Sequence, residues 1–217
     1  MASGDLFHTV LGRRDLTGST FVLRFERRDL AFEAGQHLVI GPEGARDLRE
    51  YSVYSGIGDP WLEVLVKTIE GGEVSPRLAR LRAGDKVRVE GPYGDFTLDA
   101  EKRAAPLVLV ATGTGLSPFH SMVRSYPGLR YTLVHGVRRL EERYEHGDYP
   151  AGRLVSCVSG EAGGDVEGRV TAWLDAAPLE RGASYHLCGN CDMIYSMYDR
   201  LVARGVGAAR IAAEVYF

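Results

Sequence analysis

Gly113 and Gly115, set in Ala111-Thr112-Gly113-Thr114-Gly115-Leu116-Ser117-Pro118, are the first residues here whose types and spacing could do chemistry. They follow Leu107 to Val110, a short apolar run, and precede Phe119, Met122 and Val123 at helical spacing. A buried strand passing through two glycines into a helix start offers bare backbone N–H groups at a positive dipole end. That arrangement suits a phosphate-bearing ligand. Two glycines alone are equally compatible with a tight strand-to-helix turn. A second candidate anion site is Gly71-Gly72-Glu73-Val74-Ser75-Pro76-Arg77-Leu78, which reads as a glycine turn before a short helix capped by Ser75. Arg49-Glu50-Tyr51-Ser52 offers a cation for phosphate, a flat ring for stacking and a hydroxyl for a polar ring edge. These are needs of a flavin nucleotide, although an ordinary exposed strand end could read the same way. Cys188 and Cys191 have thioredoxin-like spacing. The plainer reading gives Cys191 the helix start. His135 and His146 lack cysteine or carboxylate partners at metal-ligand spacing, so they read as structural, and no metal is expected.

Two kinds of element must position these groups. From Phe7 to about Leu98 the pattern is all-β, with strands at 20–25, 36–40, 51–54, 61–69 and 86–89, and 96–98 closing. Gly41-Pro42, Gly71-Gly72, Gly84-Asp85 and Gly91-Pro92 punctuate them, which suggests a small antiparallel barrel. Residues 75–81 break the rhythm as a short helix. Residues 100–106 are the best candidate linker. Beyond them strands at 107–110, 131–135, 153–158 and 185–187 alternate with helical segments near 119–125, 140–144, 170–174 and 193–204, and 211–217 is a last strand. That alternation implies a doubly wound parallel sheet binding ligands at the carboxyl ends of its strands. The expected division is an antiparallel β-barrel domain over 1–101 and an α/β domain over 102–217.

Composition narrows the function. The 217 residues carry a net charge of −3 with both signs interspersed, so nothing favours nucleic acid or anionic lipid as a partner. No apolar run approaches membrane-spanning length, and the first residues lack a signal-peptide pattern. Three cysteines form no disulfide framework, which fits a reducing cytoplasm, and are too few for a four-cysteine iron–sulfur cluster.

In order along the chain stand Arg-Glu-Tyr-Ser, Val-Ser-Pro-Arg-Leu, Gly-Asp-Lys-Val, Gly-Pro-Tyr-Gly-Asp-Phe, Ala-Thr-Gly-Thr-Gly-Leu-Ser-Pro, Cys-Gly-Asn and a terminal Ala-Glu-Val-Tyr-Phe. As an ordered set over nearly the whole length, they make the chain resemble the ferredoxin/flavodoxin–NADP reductases, especially the short bacterial type. The resemblance implies an FAD-binding barrel followed by an NAD(P)-binding α/β domain whose C-terminal strand reaches the flavin. It implies that Arg49 meets the flavin pyrophosphate, Tyr51 the isoalloxazine or ribityl, and Ser52 the N5 edge. Val74 and Ser75 match the turn holding the FAD pyrophosphate, and Thr114 a threonine near the flavin. Gly113 and Gly115 match the loop under the pyridine nucleotide. Cys188, Gly189 and Asn190 match the nicotinamide-side motif, and Glu214 the carboxylate near the reacting ring. Tyr216 matches the terminal aromatic stacked on the flavin, with Phe217 one residue beyond. Arg138, Ser159 and Arg169 match positions around the NADP 2′-phosphate, although the family's Ser-Arg is here Ser159-Gly160, followed by Glu161. Ser52, Cys188, Glu214 and Tyr216 are then the catalytic candidates.

The implied activity is electron transfer between NADPH and ferredoxin or flavodoxin by an FAD enzyme acting as a monomer or weak dimer. Alternatives are an NADH-dependent reductase feeding an oxygenase or another separate acceptor, an electron-transfer subunit of a larger complex, and a flavin-free thiol–disulfide enzyme built on Cys188 and Cys191.

Overall fold

The computed structural model describes residues 6–216. They fall into two compact units: one runs to Thr97 and takes in His120–Ser125, and the other holds Leu98–Phe119 and the chain from Tyr126.

The first unit is built on strands β1 (Phe7–Asp15), β2 (Thr20–Glu26), β3 (His37–Pro42), β4 (Arg49–Ser52), β5 (Trp61–Lys67) and β6 (Lys86–Tyr93). They form an antiparallel sheet in the order β4-β3-β6-β1-β2-β5. A bridge between Val53 and Val64, with the Tyr54 N–H donating to Glu63 O at 2.7 Å, joins the two ends and closes the barrel. Alternating Leu23, Phe25, Leu38, Ile40, Leu62 and Val64 fill its interior with no exposure, the inward half of a period-two pattern. Helix α1 (Ser75–Leu78) is one turn long and packs on β3. The expected closing strand at 96–98 is absent: Phe96 and Leu98 are buried but carry no ladder.

The second unit is a six-stranded parallel sheet of β7 (Leu107–Thr112), β8 (Tyr131–Val137), β9 (Leu154–Val158), β10 (Val166–Glu167), β11 (Ser184–Asn190) and β12 (Ile211–Tyr216). The order is β10-β9-β8-β7-β11-β12. The sheet runs outward in both directions from β7, so the strand order switches between β7 and β11. Ligands of doubly wound sheets bind at the carboxyl ends of the strands flanking such a point. Helices α2 (Ala100–Ala104), α4 (Val170–Ala176) and α5 (Cys191–Ala203) complete this unit, together with the start of α3 (Ser117–Ser125), whose residues from His120 on belong to the first unit. The expected linker at 100–106 is therefore largely helix. Asp99 caps α2 by accepting from the Lys102 N–H at 2.8 Å, and Ala-Glu-Lys-Arg-Ala is a run of strong helix formers.

Two fully buried histidines sit in this sheet, His135 on β8 and His186 on β11. Burial disfavours the imidazolium and pushes each down to about 4 from the ordinary 6.5. The unfolded chain therefore takes up protons below pH 6.5 that the folded chain refuses until about pH 4. Stability is complete above that window and falls through it as pH falls, by about 1.4 kcal/mol per unit for each histidine. Urea unfolding of the holoprotein, followed by far-ultraviolet circular dichroism, should show a lower midpoint near pH 5 than near pH 7.5. An equal midpoint would contradict this.

Candidate active site

In the barrel, Arg49 opens β4 fully exposed, and Tyr51 lies two residues on, its ring against the core residues. Burial holds the Tyr51 phenol neutral, pushed up to about 12. Ser52 is buried at 3% exposure opposite His37 of β3. β4 thus carries on one face an exposed guanidinium, whose Nη1 donates to the Leu48 carbonyl at 2.8 Å, and a half-buried phenol. On the other flank of β3, α1 starts one residue away from the sequence reading. Val74, not Ser75, is the N-cap, its carbonyl accepting from the Arg77 and Leu78 N–H groups at 3.0 and 2.9 Å. Ser75 is the first helical residue, and its hydroxyl accepts from the Ile69 N–H at 3.0 Å. It is tied up there because Ile69, just past the end of β5, has no ladder partner for its N–H.

In the second unit the two glycine motifs converge on the switch point. Gly113 takes the left-handed φ of +53° that ends β7, and Gly113–Leu116 form a 3-10 turn leading into α3. A Cβ on Gly115 would overlap the Cys188 carbonyl, 2.6 Å from its carbon and 2.8 Å from Gly189 Cα. A Cβ on Gly189, at φ +130°, would overlap the Thr112 hydroxyl and lie 2.9 Å from the Thr112 carbonyl. Both glycines let the turn after β7 lie directly against the end of β11. Thr112, not singled out from the sequence, fastens the pair: its Oγ1 accepts from the Asn190 N–H at 3.1 Å. Its only sequence signal is its place at the end of the strand, just before Gly113.

Asn190 caps α5, its Oδ1 accepting from Asp192 N–H at 3.0 Å and Met193 N–H at 3.3 Å. The cap expected of Cys191 therefore belongs to Asn190, because a side-chain carbonyl accepts backbone N–H bonds far better than a thiol. Cys188 is fully buried. Burial first, and the Glu214 carboxylate second, push its thiol well above the ordinary value, while the Tyr216 side chain hydrogen-bonds to it. Strand register accounts for this grouping, since Cys188 pairs with Glu214 and Asn190 with Tyr216 across β11 and β12. Three of the four catalytic candidates thus meet at one corner. Ser52 belongs to the barrel. Phe217 lies outside the described residues.

Arg138 and Ser159 also meet. Ser159 N–H donates to Val137 O at 3.0 Å and Gly160 N–H to Arg138 O at 2.8 Å, strapping the end of β9 to that of β8. The Glu142 carboxylate accepts from the Arg138 and Arg139 N–H groups, both at 3.0 Å, and Glu161 from that of Leu140. A Cβ on Gly160 would sit 2.6 Å from Arg138 O, so this strap has room only for glycine at the position where the resemblance led us to expect arginine. Arg169 is exposed at the N-cap of α4.

A barrel carrying an exposed arginine and a half-buried tyrosine on an edge strand, together with a parallel sheet glycine-lined at its switch point, defines a flavin- and nucleotide-binding oxidoreductase fold. Residues 9–98 match the family model described as Oxidoreductase FAD-binding domain. The reductase subunit of an aromatic O-demethylase from Amycolatopsis is 34% identical over 98% of this chain and 69% of its own length. A flavodoxin/ferredoxin–NADP reductase of Escherichia coli is 33% identical over 82% of each chain. The crystal structure of an Amycolatopsis cytochrome P450 reductase superposes with a TM-score of 0.87 at 31% identity, covering 98% of this chain and 69% of that one. The chain belongs to the ferredoxin/flavodoxin–NADP reductase family and is an FAD-dependent oxidoreductase.

The residues present fit both dinucleotides. Arg49 is an unburied fork for phosphate, and Tyr51 a ring in the same strand. At Gly113, which opens the switch-point turn, nothing lies within 4 Å of where a Cβ would sit, so bare backbone faces open space there.

Proposed function

We propose that this chain moves electrons between NADPH and a one-electron protein carrier, ferredoxin or flavodoxin. The observation that carries the reading is the meeting of the Gly113–Leu116 turn, Cys188, Glu214 and Tyr216 at the sheet's switch point. FAD, when bound, supplies hydride exchange at one ring atom and release of electrons one at a time. The chain's own residues bind and orient. Arg49 and the Val74–Ser75 turn hold the flavin's pyrophosphate, Tyr51 flanks its ring system, and Ser52 and Thr114 lie near its reacting edge. Gly113 and Gly115 seat the nucleotide pyrophosphate. Arg138, Ser159 and Arg169 take the 2′-phosphate. Cys188, Gly189 and Asn190 form the wall on the nicotinamide side, with Glu214 beside the reacting ring. Cys188 is a poor nucleophile, because burial and Glu214 keep its thiol protonated. It serves by shape, which argues against the thiol–disulfide reading.

A relative from Pseudomonas putida described as a toluate 1,2-dioxygenase electron transfer component, 30% identical over 94% of this chain, favours a second reading, in which the acceptor is an oxygenase component. Charge separates the two. Arg13, Arg80 and Arg82, with Asp15, Ala79 and Leu81, line an open hollow of about 440 Å³ just past α1, and Arg77 and Lys67 are exposed nearby in sequence. A basic rim of this kind steers acidic carriers. Steady-state reduction of ferredoxin or flavodoxin by the purified holoprotein should fall as salt rises, while reduction of ferricyanide changes much less. An equal salt response in both assays would remove the carrier argument.

A further inference from the structure

The proposed function uses neither His135 nor His146, yet their geometry is specific. His135 is fully buried on β8, with Nε2 2.9 Å from Gly113 O and Nδ1 2.9 Å from His146 Nε2. A carbonyl only accepts, so His135 Nε2 carries the proton. In the neutral ring Nδ1 then accepts, and His146 Nε2–H donates to it. Both rings are held neutral by burial. Tyr144, itself buried, packs its ring 5.9 Å from that of His135. The chain of bonds runs from a 3-10 turn after β8 (His146–Asp148), through the sheet, to the carbonyl of Gly113, the left-handed glycine that opens the nucleotide turn.

We propose that His135, oriented by His146, is a positioning residue for the pyridine nucleotide: it fixes the Gly113 carbonyl inward so that the N–H groups of the following turn stay directed at the dinucleotide pyrophosphate. The inference rests on the reading of Gly113–Leu116 as the nucleotide turn. The first N–H groups of a helical turn have no partner within it, so their direction is set by what holds the residue before them. The turn opens with Gly113 itself, the most permissive backbone available, and its carbonyl shares a peptide plane with the Thr114 N–H. A glycine at this point needs an outside anchor, and the His135 imidazole supplies one, bonded on both sides. Neither histidine touches the dinucleotide in this scheme; both act through the turn.

The test is calorimetric titration of the FAD-loaded protein with NADP⁺ and with ADP-ribose, which lacks the reactive ring. His135→Leu removes both bonds. His135→Gln keeps an N–H near the Nε2 position and should restore the bond to Gly113 O. His135→Leu is expected to weaken both ligands about tenfold, the effect of one unsatisfied buried carbonyl, with His135→Gln within about threefold of the parent. Flavin content and ferricyanide turnover at saturating nucleotide should stay near the parent's. If His135→Leu does not fold, His146→Phe keeps the ring volume and loses the donor, and should weaken both ligands about threefold. Parent-like affinity in the variant that folds, or His135→Gln no better than His135→Leu, would overturn the proposal. A parent protein that binds neither ligand would overturn the nucleotide reading of the turn as well.

Discussion

Gly189→Ala should be the most damaging single methyl in the second unit, and should abolish nucleotide binding. The added Cβ would overlap the Thr112 hydroxyl and crowd the Thr112 carbonyl at 2.9 Å, in a residue whose φ of +130° no L side chain adopts comfortably. Backbone strain of this kind costs about 1–3 kcal/mol and overpacking a similar amount, so a loss of about 3 kcal/mol or more is expected. Thr112 can yield only by dropping its bond to the Asn190 N–H, and with it the contact that seats the turn on β11. Gly128→Ala is the control, since nothing lies within 4 Å of a Cβ there and its φ is ordinary. It should change stability by no more than about 0.5 kcal/mol. Urea melts of the two variants and titration with NADP⁺ check both points. Equal behaviour of the two would contradict the packing described.

Tyr216→Ser should have the largest effect on turnover. Tyr216 hydrogen-bonds to Cys188, the residue proposed to wall the nicotinamide side, and the proposal places its ring where the nicotinamide must come. Aromatic stacking is worth about 0.5–1.5 kcal/mol beyond area burial, small enough for displacement in each cycle. Removing the ring, in a chain also ending at 216, should tighten NADP⁺ binding on the order of tenfold, because 1.4 kcal/mol is a factor of ten. A new long-wavelength flavin–nicotinamide band should appear, and turnover should slow through late product release. If Tyr216 only fills the edge of β12, affinity and spectrum will match the parent's.

The strands and the glycine turn at 113–116 were legible because their signals are local. A short β-branched run, two glycines and a helical apolar period leave few alternatives for 107–125. Cys188-Gly189-Asn190 was legible as a motif but not as a partner of Gly115, since that contact depends on β11 pairing with β7 across most of the domain. Asp99 before Ala-Glu-Lys-Arg-Ala is a capped helix signal that the charged, small composition of 100–106 concealed. Ser75 misled as a cap because its hydroxyl serves Ile69 N–H, a demand set by where β5 ends. His135 and His146 lie eleven residues apart, a spacing with no meaning in a helix, strand or metal site. Only the fold of the loop after β8 joins them.

The central claim is that hydride from NADPH reaches FAD in this chain and leaves as single electrons. It is tested most directly by mixing the purified yellow protein with NADPH under anaerobic conditions and following the flavin band before and after a one-electron carrier is added. FAD released by heat, bleaching within the turnover time, and recovery of the band with two equivalents of carrier reduced per flavin are the results expected. FMN or no flavin, or a band that NADPH leaves unchanged, would contradict it.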